Sequence, residues 1–288
     1  MKNILVTGSK GQLGSDIKEI STRYKNFIFL FTDIEELDLT DKQALNNYFT
    51  NHKPDYCINC AAYTAVDKAE DQPELAMKIN EGAAANLSQL CAEYQIKLIH
   101  ISTDYIFNGT NNRPYKETDT PAPNSAYGLS KLKGEEAIEA INTDSMIIRT
   151  SWLYSSYGVN FLKTMMRLSN EKESINVVCD QVGTPTYSAD LAEAILEIIS
   201  KNDKSRLCGI YHFSNEGAIS WYDFARAIMD ITNASCRVYP IESKDFPAKA
   251  NRPFYSVLNK SKIKADFNIS IPYWRDSLKI AISKINNQ

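Results

Sequence analysis

No apolar run in this sequence is long enough to cross a bilayer, and no block of five or six basic residues occurs. The first absence removes a membrane-spanning helix, which needs about 20 residues. The second argues against a nucleic-acid or membrane-surface role. Histidine is scarce, with three residues in all. His52 and His212 have no carboxylate or cysteine cluster beside them at ligand spacing, so no catalytic metal is expected. His100 lies mid-strand and reads as a satisfied buried histidine. No signal-peptide core follows Met1-Lys2-Asn3, so a cytoplasmic protein is expected. There, Cys57, Cys60, Cys91, Cys179, Cys208 and Cys236 are expected as free thiols packed like small hydrophobes. Cys57-x-x-Cys60 has no second ligand pair, which argues against zinc, and a redox role is rejected as well.

What is present suits one large globular unit or two lobes folded together: 288 residues, 43% of them hydrophobic. The formal net charge is only -3, so an anionic ligand must be met by local groups rather than by the field of the whole protein.

Short apolar runs alternate with stretches of helical period through the first half. Strands are expected at 3–7, 27–31, 55–59, 97–102 and 146–150, and their continuous apolar character is that of parallel strands buried on both faces. Helices are expected near 13–23, 41–51, 73–94 and 125–141, with Asp41 and Ser125 as N-caps and Pro73 in a first turn. This alternation predicts an α/β fold with a Rossmann-type, doubly wound parallel sheet. Beyond residue 150 helices are expected near 159–170, 188–201, 220–232 and 274–285, with short strands near 175–178, 210–213 and 236–240. The expected organisation is an NAD(P)-binding domain over 1–150 and a smaller, mainly substrate-binding lobe over 151–288. Some later segments are expected to return to the sheet.

Gly8-Ser-Lys-Gly11-Gln-Leu-Gly14 follows the first strand directly and opens the first helix. Glycines there let backbone amides approach a pyrophosphate, and the helix N-terminus favours its charge. Such a loop alone is a weak signal; the flanking strand and helix strengthen it. Asp33 ends the second strand, where a carboxylate accepts from ribose hydroxyls and favours NADH. An ordinary turn Asp is an equal alternative. Lys10, inside the loop, is placed to meet a 2′-phosphate instead, so NADPH and NADH both stay open. Asp38 and Leu39 are candidates for the adenine pocket. The small residues after the third strand suit backbone passing beneath a dinucleotide.

Tyr127 and Lys131 stand four residues apart on one helical face. A free phenol titrates near ~10, and an ammonium one turn away is expected to lower that value. Ser102 and Thr103 end the fourth strand, where ligands of open α/β sheets bind. Thr103 is chosen over Ser102 as the hydroxyl that would hold a substrate carbonyl while Tyr127 delivers a proton.

The glycine loop, Thr103 and Tyr127-x-x-x-Lys131 resemble the extended short-chain dehydrogenase/reductase superfamily. More narrowly, Asn59-Cys-Ala-Ala-Tyr-Thr-Ala-Val-Asp-Lys-Ala-Glu70, Ser102-Thr-Asp-Tyr-Ile-Phe107, Arg149-Thr-Ser-Trp-Leu-Tyr154, Asp180-Gln-Val-Gly-Thr-Pro-Thr186 and Ala250-Asn-Arg-Pro-Phe-Tyr-Ser-Val-Leu258 resemble the dTDP-4-dehydrorhamnose reductase family, in order and over nearly the whole chain. The resemblance implies reduction of the C4 ketone of dTDP-4-dehydro-L-rhamnose with NADPH or NADH. It implies Thr103, Asp104 and Trp152 as sugar contacts. It implies Gly11, Gln12, Leu13, Asp33, Asp38, Leu39, Ala62, Tyr63, Thr64, Tyr127 and Lys131 as cofactor contacts, beside the Gly8 and Gly14 of the loop. Some relatives carry His at the position of Tyr63. Some use Mg2+ in forming a dimer, but no residue here is identified as its ligand, and monomer or homodimer both remain open.

A core tryptophan is an equal reading for Trp152. Arg149, inside a strand, reads as structural, whereas Arg252 is a diphosphate candidate or a surface arginine. Tyr105 and Phe107 read as core. Two other functions fit the fold: a sugar-nucleotide epimerase or dehydratase, and a non-catalytic regulatory subunit. A dehydratase usually has acidic residues after the catalytic Thr, and Thr103-Asp104-Tyr105-Ile106 lacks a consecutive Asp-Glu pair; regulatory relatives tend to lose the Tyr/Lys pair.

Overall fold

The computed structural model describes residues 1–142, 144–201 and 207–287. Six strands form one all-parallel sheet: β1 (Lys2–Thr7), β2 (Phe27–Phe31), β3 (Tyr56–Asn59), β4 (Lys97–Thr103), β5 (Ser145–Thr150) and β6 (Gly209–His212). Their order is β6-β5-β4-β3-β1-β2. The direction of winding reverses between β1 and β3, which opens a crevice at the carboxyl ends of those strands.

Alternate residues of each strand feed different cores, because successive side chains leave opposite faces. Ile4, Val6, Ile58, Ile99 and Ile148 pack on one side of the sheet. Leu5, Cys57, Leu98 and Ile147, their neighbours in sequence, pack on the other. Both faces are covered, so the runs are apolar without alternation. The first face is roofed by α1 (Gln12–Ile20) together with Leu191, Ile195 and Ile199 of the helix Ser188–Lys201. A separate core joins Tyr154, Phe224, Ile228, Trp274 and Leu278 in the second half of the chain.

The expected elements are found with local differences that have physical causes. Asp41 accepts from the Gln43 and Ala44 amides, Ser125 accepts from Gly128 N–H, and Pro73 starts its helix. The helix expected over 73–94 is Pro73–Met77, a π-helical stretch Lys78–Gly82, and Ala83–Glu93. The wide turn presents buried Asn80, whose side chain accepts from Tyr63 N–H and donates to Tyr63 C=O and to Ser130 Oγ. One side chain therefore pins the segment after β3 to the neighbouring helix, a use typical of π-bulges. The first helix ends at Ile20 and tightens into a 3-10 turn, Ser21–Arg23. Residues 66–71 form a further short helix that periodicity did not reveal. Strand β6 joins the sheet beside β5, so the second half of the chain does return to it.

Candidate active site

A cleft of about 770 Å³ lies over the carboxyl ends of the strands, within the range of small-molecule sites. It is lined by Gly8, Gly11, Gln12 and Leu13 of the loop, and by Asp33, Asp38, Leu39, Ala62 and Thr64. Thr103, Asp104, Tyr127, Lys131 and Trp152 line it too. Gly14 and Tyr63 do not. Arg252 is also absent from the lining: its guanidinium is held by Asp67, at 2.6 Å from Oδ2.

The loop is built around missing side chains. Gly8 sits at φ +62°, and a Cβ on it would stand 2.7 Å from Ala61 N. A Cβ on Gly14 would stand 2.4 Å from Gly8 O. No side chain caps α1, so its first amides are left for a ligand beside Gly11 and Gln12. These residues therefore fit a dinucleotide pyrophosphate. Gly14→Ala is expected to cost about 1–3 kcal/mol by overpacking and to abolish cofactor binding. Gly11→Ala, whose added Cβ would meet Gly8 O at 3.2 Å, is expected to be milder. Melting curves and cofactor fluorescence titrations of the two variants check this ordering.

Just past the end of β2, Asp33 accepts from Lys10 N–H at 2.8 Å and from Ile34 N–H at 2.9 Å. The Lys10 ammonium pairs with Glu35 and Glu36 at 2.6 and 3.1 Å. All three are exposed, and such pairs are worth little. Asp38 accepts from Thr40 N–H, which holds its carboxyl below the usual range.

The helix α2 (Ala126–Ile141) carries Tyr127 and Lys131 into the cleft. It packs closely on its neighbours because Gly128 sits on Tyr105 O, just past β4, and Gly134 on Asn80 O of the π-helical stretch, where a Cβ would stand 2.2 Å away in each case. Thr103 Oγ1 donates to Asp104 Oδ1 at 3.1 Å and accepts from Tyr105 N–H. Ser102 Oγ, the competing hydroxyl, is buried without a hydrogen-bond partner.

The electrostatics correct one expectation. Burial pushes the Tyr127 phenol up to about 12; the hydrogen bond with Thr103 opposes the rise and the charge of Asp104 adds to it. Lys131 does not lower the phenol, because its Nζ is turned to Ile101 C=O at 2.7 Å and lies 3.2 Å from His100 Nε2. Burial also brings Lys131 itself down to about 8, against a small raising effect of Glu135. Asp104, 1% exposed, is pushed up to about 6, again first by burial.

Trp152 stands at φ +47°, a strained conformation for a bulky residue. Its ring stacks on Trp221 with centroids 3.6 Å apart and planes 10° from parallel. Gly183 makes room, since a Cβ there would come within 2.6 Å of the indole. Trp221 also lines the cleft and was missed in the sequence, as were Val159 and Asn160. No motif marks Trp221; its place follows from the packing of its helix, Trp221–Thr232, in the second core.

Arg149 and Phe107, read as structural, lie outside the cleft lining, whereas Tyr105, read as core, and Cys60 line it. Arg149 and Glu135 form a fully buried bidentate pair, and Phe107 and Tyr115 stack at 4.2 Å. Cys57 and Cys91 are buried free thiols, and burial raises the Cys60 thiol as well. Among the described residues, no three His, Cys, Asp or Glu side chains are grouped to hold a metal ion, and no helix is long and apolar enough to cross a membrane.

Comparison with known proteins places this geometry. The chain is 38% identical over 287 residues to the dTDP-4-dehydrorhamnose reductase of Aggregatibacter actinomycetemcomitans, covering 97% of this chain and 98% of that one. It is 34% identical to a dTDP-4-keto-6-deoxy-D-glucose reductase of Streptomyces niveus, with 98% and 97% covered. Its fold matches the crystal structure of Bacillus anthracis dTDP-4-dehydrorhamnose reductase in complex with NADP at TM-score 0.94 and 38% identity, over 99% of this chain and 100% of that one. The family model described as RmlD substrate binding domain matches residues 1–287, and the chain belongs to that family.

Proposed function

We propose that this protein is an NAD(P)H-dependent reductase of the C4 ketone of dTDP-4-dehydro-L-rhamnose, with dTDP-L-rhamnose as product. The observation that carries the reading is the meeting of Tyr127, Lys131 and Thr103 in one cleft floored by the glycine loop. The names of the relatives and the NADP bound to one of them support it.

In this reading residues 1–150 mainly hold the dinucleotide and 151–288 mainly the sugar. Bound NADPH or NADH supplies the hydride. Gly8, Gly11, Gln12, Leu13 and Gly14 position the pyrophosphate, Asp33, Asp38 and Leu39 the adenosine, and Ala62, Tyr63 and Thr64 the backbone beneath it. The substrate carbonyl lies between the hydroxyls of Thr103 and Tyr127. A phenol raised to about 12 is protonated at neutral pH, which is the state a proton donor needs. As the oxygen gains charge, Thr103 stabilises it and Tyr127 gives up its proton. Lys131 balances the resulting phenolate once its Nζ leaves Ile101 C=O, to which it is turned here. Asp104 and Trp152 hold the sugar, the tryptophan by one ring face.

The test is cofactor oxidation at 340 nm (the absorbance of the reduced nicotinamide) with dTDP-4-dehydro-L-rhamnose made in situ. The dTDP-4-keto-6-deoxy-D-glucose and a UDP-linked 4-keto sugar serve as comparisons, each with NADH and NADPH. One cofactor consumed per product is expected, fastest with the first substrate. No net oxidation would point to an epimerase and overturn the reading.

A further inference from the structure

Behind Lys131 runs a line of buried polar groups that the reaction above does not use. Thr7 Oγ1 donates to Asn59 Oδ1 at 2.8 Å, and Ala61 N–H donates to the same oxygen at 3.2 Å. Asn59 Nδ2 lies 3.0 Å from His100 Nδ1, and His100 Nε2 lies 3.2 Å from Lys131 Nζ. Thr7, Asn59, His100 and Lys131 are each 2% exposed or less. They come from β1, β3, β4 and α2, and β3 pairs Asn59 directly with His100.

The direction of this chain is decided at its far end. A backbone N–H can only donate, so Ala61 fixes which end of the Asn59 amide is oxygen. The NH2 group then faces His100 Nδ1, which must accept. Burial first, and the charge of Lys131 second, hold the His100 imidazole well below its usual titration range, so the ring is neutral. A neutral imidazole whose Nδ1 accepts carries its proton on Nε2. That N–H points at Lys131 Nζ. An ammonium has three N–H bonds and no lone pair, so two donors would meet head on. A neutral amine has a lone pair to receive the Nε2–H and an N–H to give to Ile101 C=O.

We propose that His100 is a positioning residue acting through Lys131: with its tautomer set by Asn59, it donates to the lysine and favours the uncharged amine. The groups facing this pair are few. From α2 come Tyr127 and Glu135, and the Glu135 carboxylate is committed to Arg149 at 2.7 Å. From β1 and β3 come only uncharged Thr7 and Asn59, so no free charge on those strands restores the ammonium. His100 therefore brings the lysine's loss of charge toward the working pH. This builds on the Tyr127/Lys131 reading, in which the ammonium is the active form. Activity is then full below the Lys131 pKa and falls as pH rises through it.

His100→Gln offers a carbonyl oxygen to Nζ in place of an N–H. It is expected to raise the Lys131 pKa by about one unit, a tenfold gain in proton affinity. The alkaline limb of kcat/KM moves up with it. The pH dependence of Lys131 acetylation, followed by mass spectrometry without substrate, reads the same shift even if the assigned reaction is wrong. A lower Tm with neither titration moved would reduce His100 to a structural residue and overturn the proposal. Should the variant fail to fold, nitrogen-15 spectra of the wild-type histidines decide alone: the Nε2–H tautomer of His100 is expected, and the Nδ1–H or doubly protonated ring would refute it.

Discussion

Tyr127→Phe is expected to bind NADPH or NADH as the parent does and to lose about 10²–10⁴-fold in kcat, the usual worth of a positioned general acid. The phenol ring packs against Tyr105, with centroids 5.5 Å apart, and phenylalanine keeps that contact. The fold and the cleft should therefore persist, and cofactor fluorescence titration with a melting curve checks that they do. What disappears is the proton that meets the developing alkoxide. Hydride transfer without it leaves an unneutralised oxyanion in a buried site, held by Thr103 alone. Single-turnover measurement of nicotinamide oxidation isolates this step from product release. A variant with unimpaired single turnover would show that the proton comes from elsewhere, with solvent as the first suspect.

The second large effect concerns stability. Glu135 accepts from Arg149 Nε and Nη2, and the two side chains are 1% and 2% exposed. The guanidinium also lies 5.4 Å from the Phe107 ring centroid and near His212, whose own titration burial pushes down to about 3. Glu139, one turn on and exposed, also feels the Arg149 charge. Glu135→Leu strands a buried cation and is expected to cost about 3–5 kcal/mol. For a chain of this size that is a fall in Tm on the order of 10 °C. Pairing it with Arg149→Met should recover most of the loss, since removing both charges removes the desolvation penalty. The exposed pair Lys133–Glu136 on the same helix provides the contrast, at about 1 kcal/mol or less. If Glu135→Leu melted like the parent, the pair would contribute no more than a surface bridge.

Much of the architecture is local and could be read in advance. Apolar runs of four to seven residues set the strands, and Asp41 and Ser125 marked helix starts through bonds spanning two or three residues. Three glycines marked the loop, and a separation of four positions put Tyr127 and Lys131 on one helical face. Other features were out of reach. The break at Lys78–Gly82 exists because Asn80 reaches Tyr63 and Ser130, 17 and 50 residues away. Trp221 meets Trp152 across 69 positions, and only packing brings the rings together.

Residue types and spacing determined the parallel sheet, the glycine loop and the placement of Tyr127 and Lys131 on one helical face, since each depends on interactions within a turn or on the two-residue period of a strand. The protonation of that pair was decided by the tertiary structure. An ammonium one turn away argued for a lowered phenol, yet enclosure raised Tyr127 and turned Lys131 toward His100 and Ile101. Solvation depends on everything that surrounds a group, and the surroundings here are assembled from four separate stretches of chain.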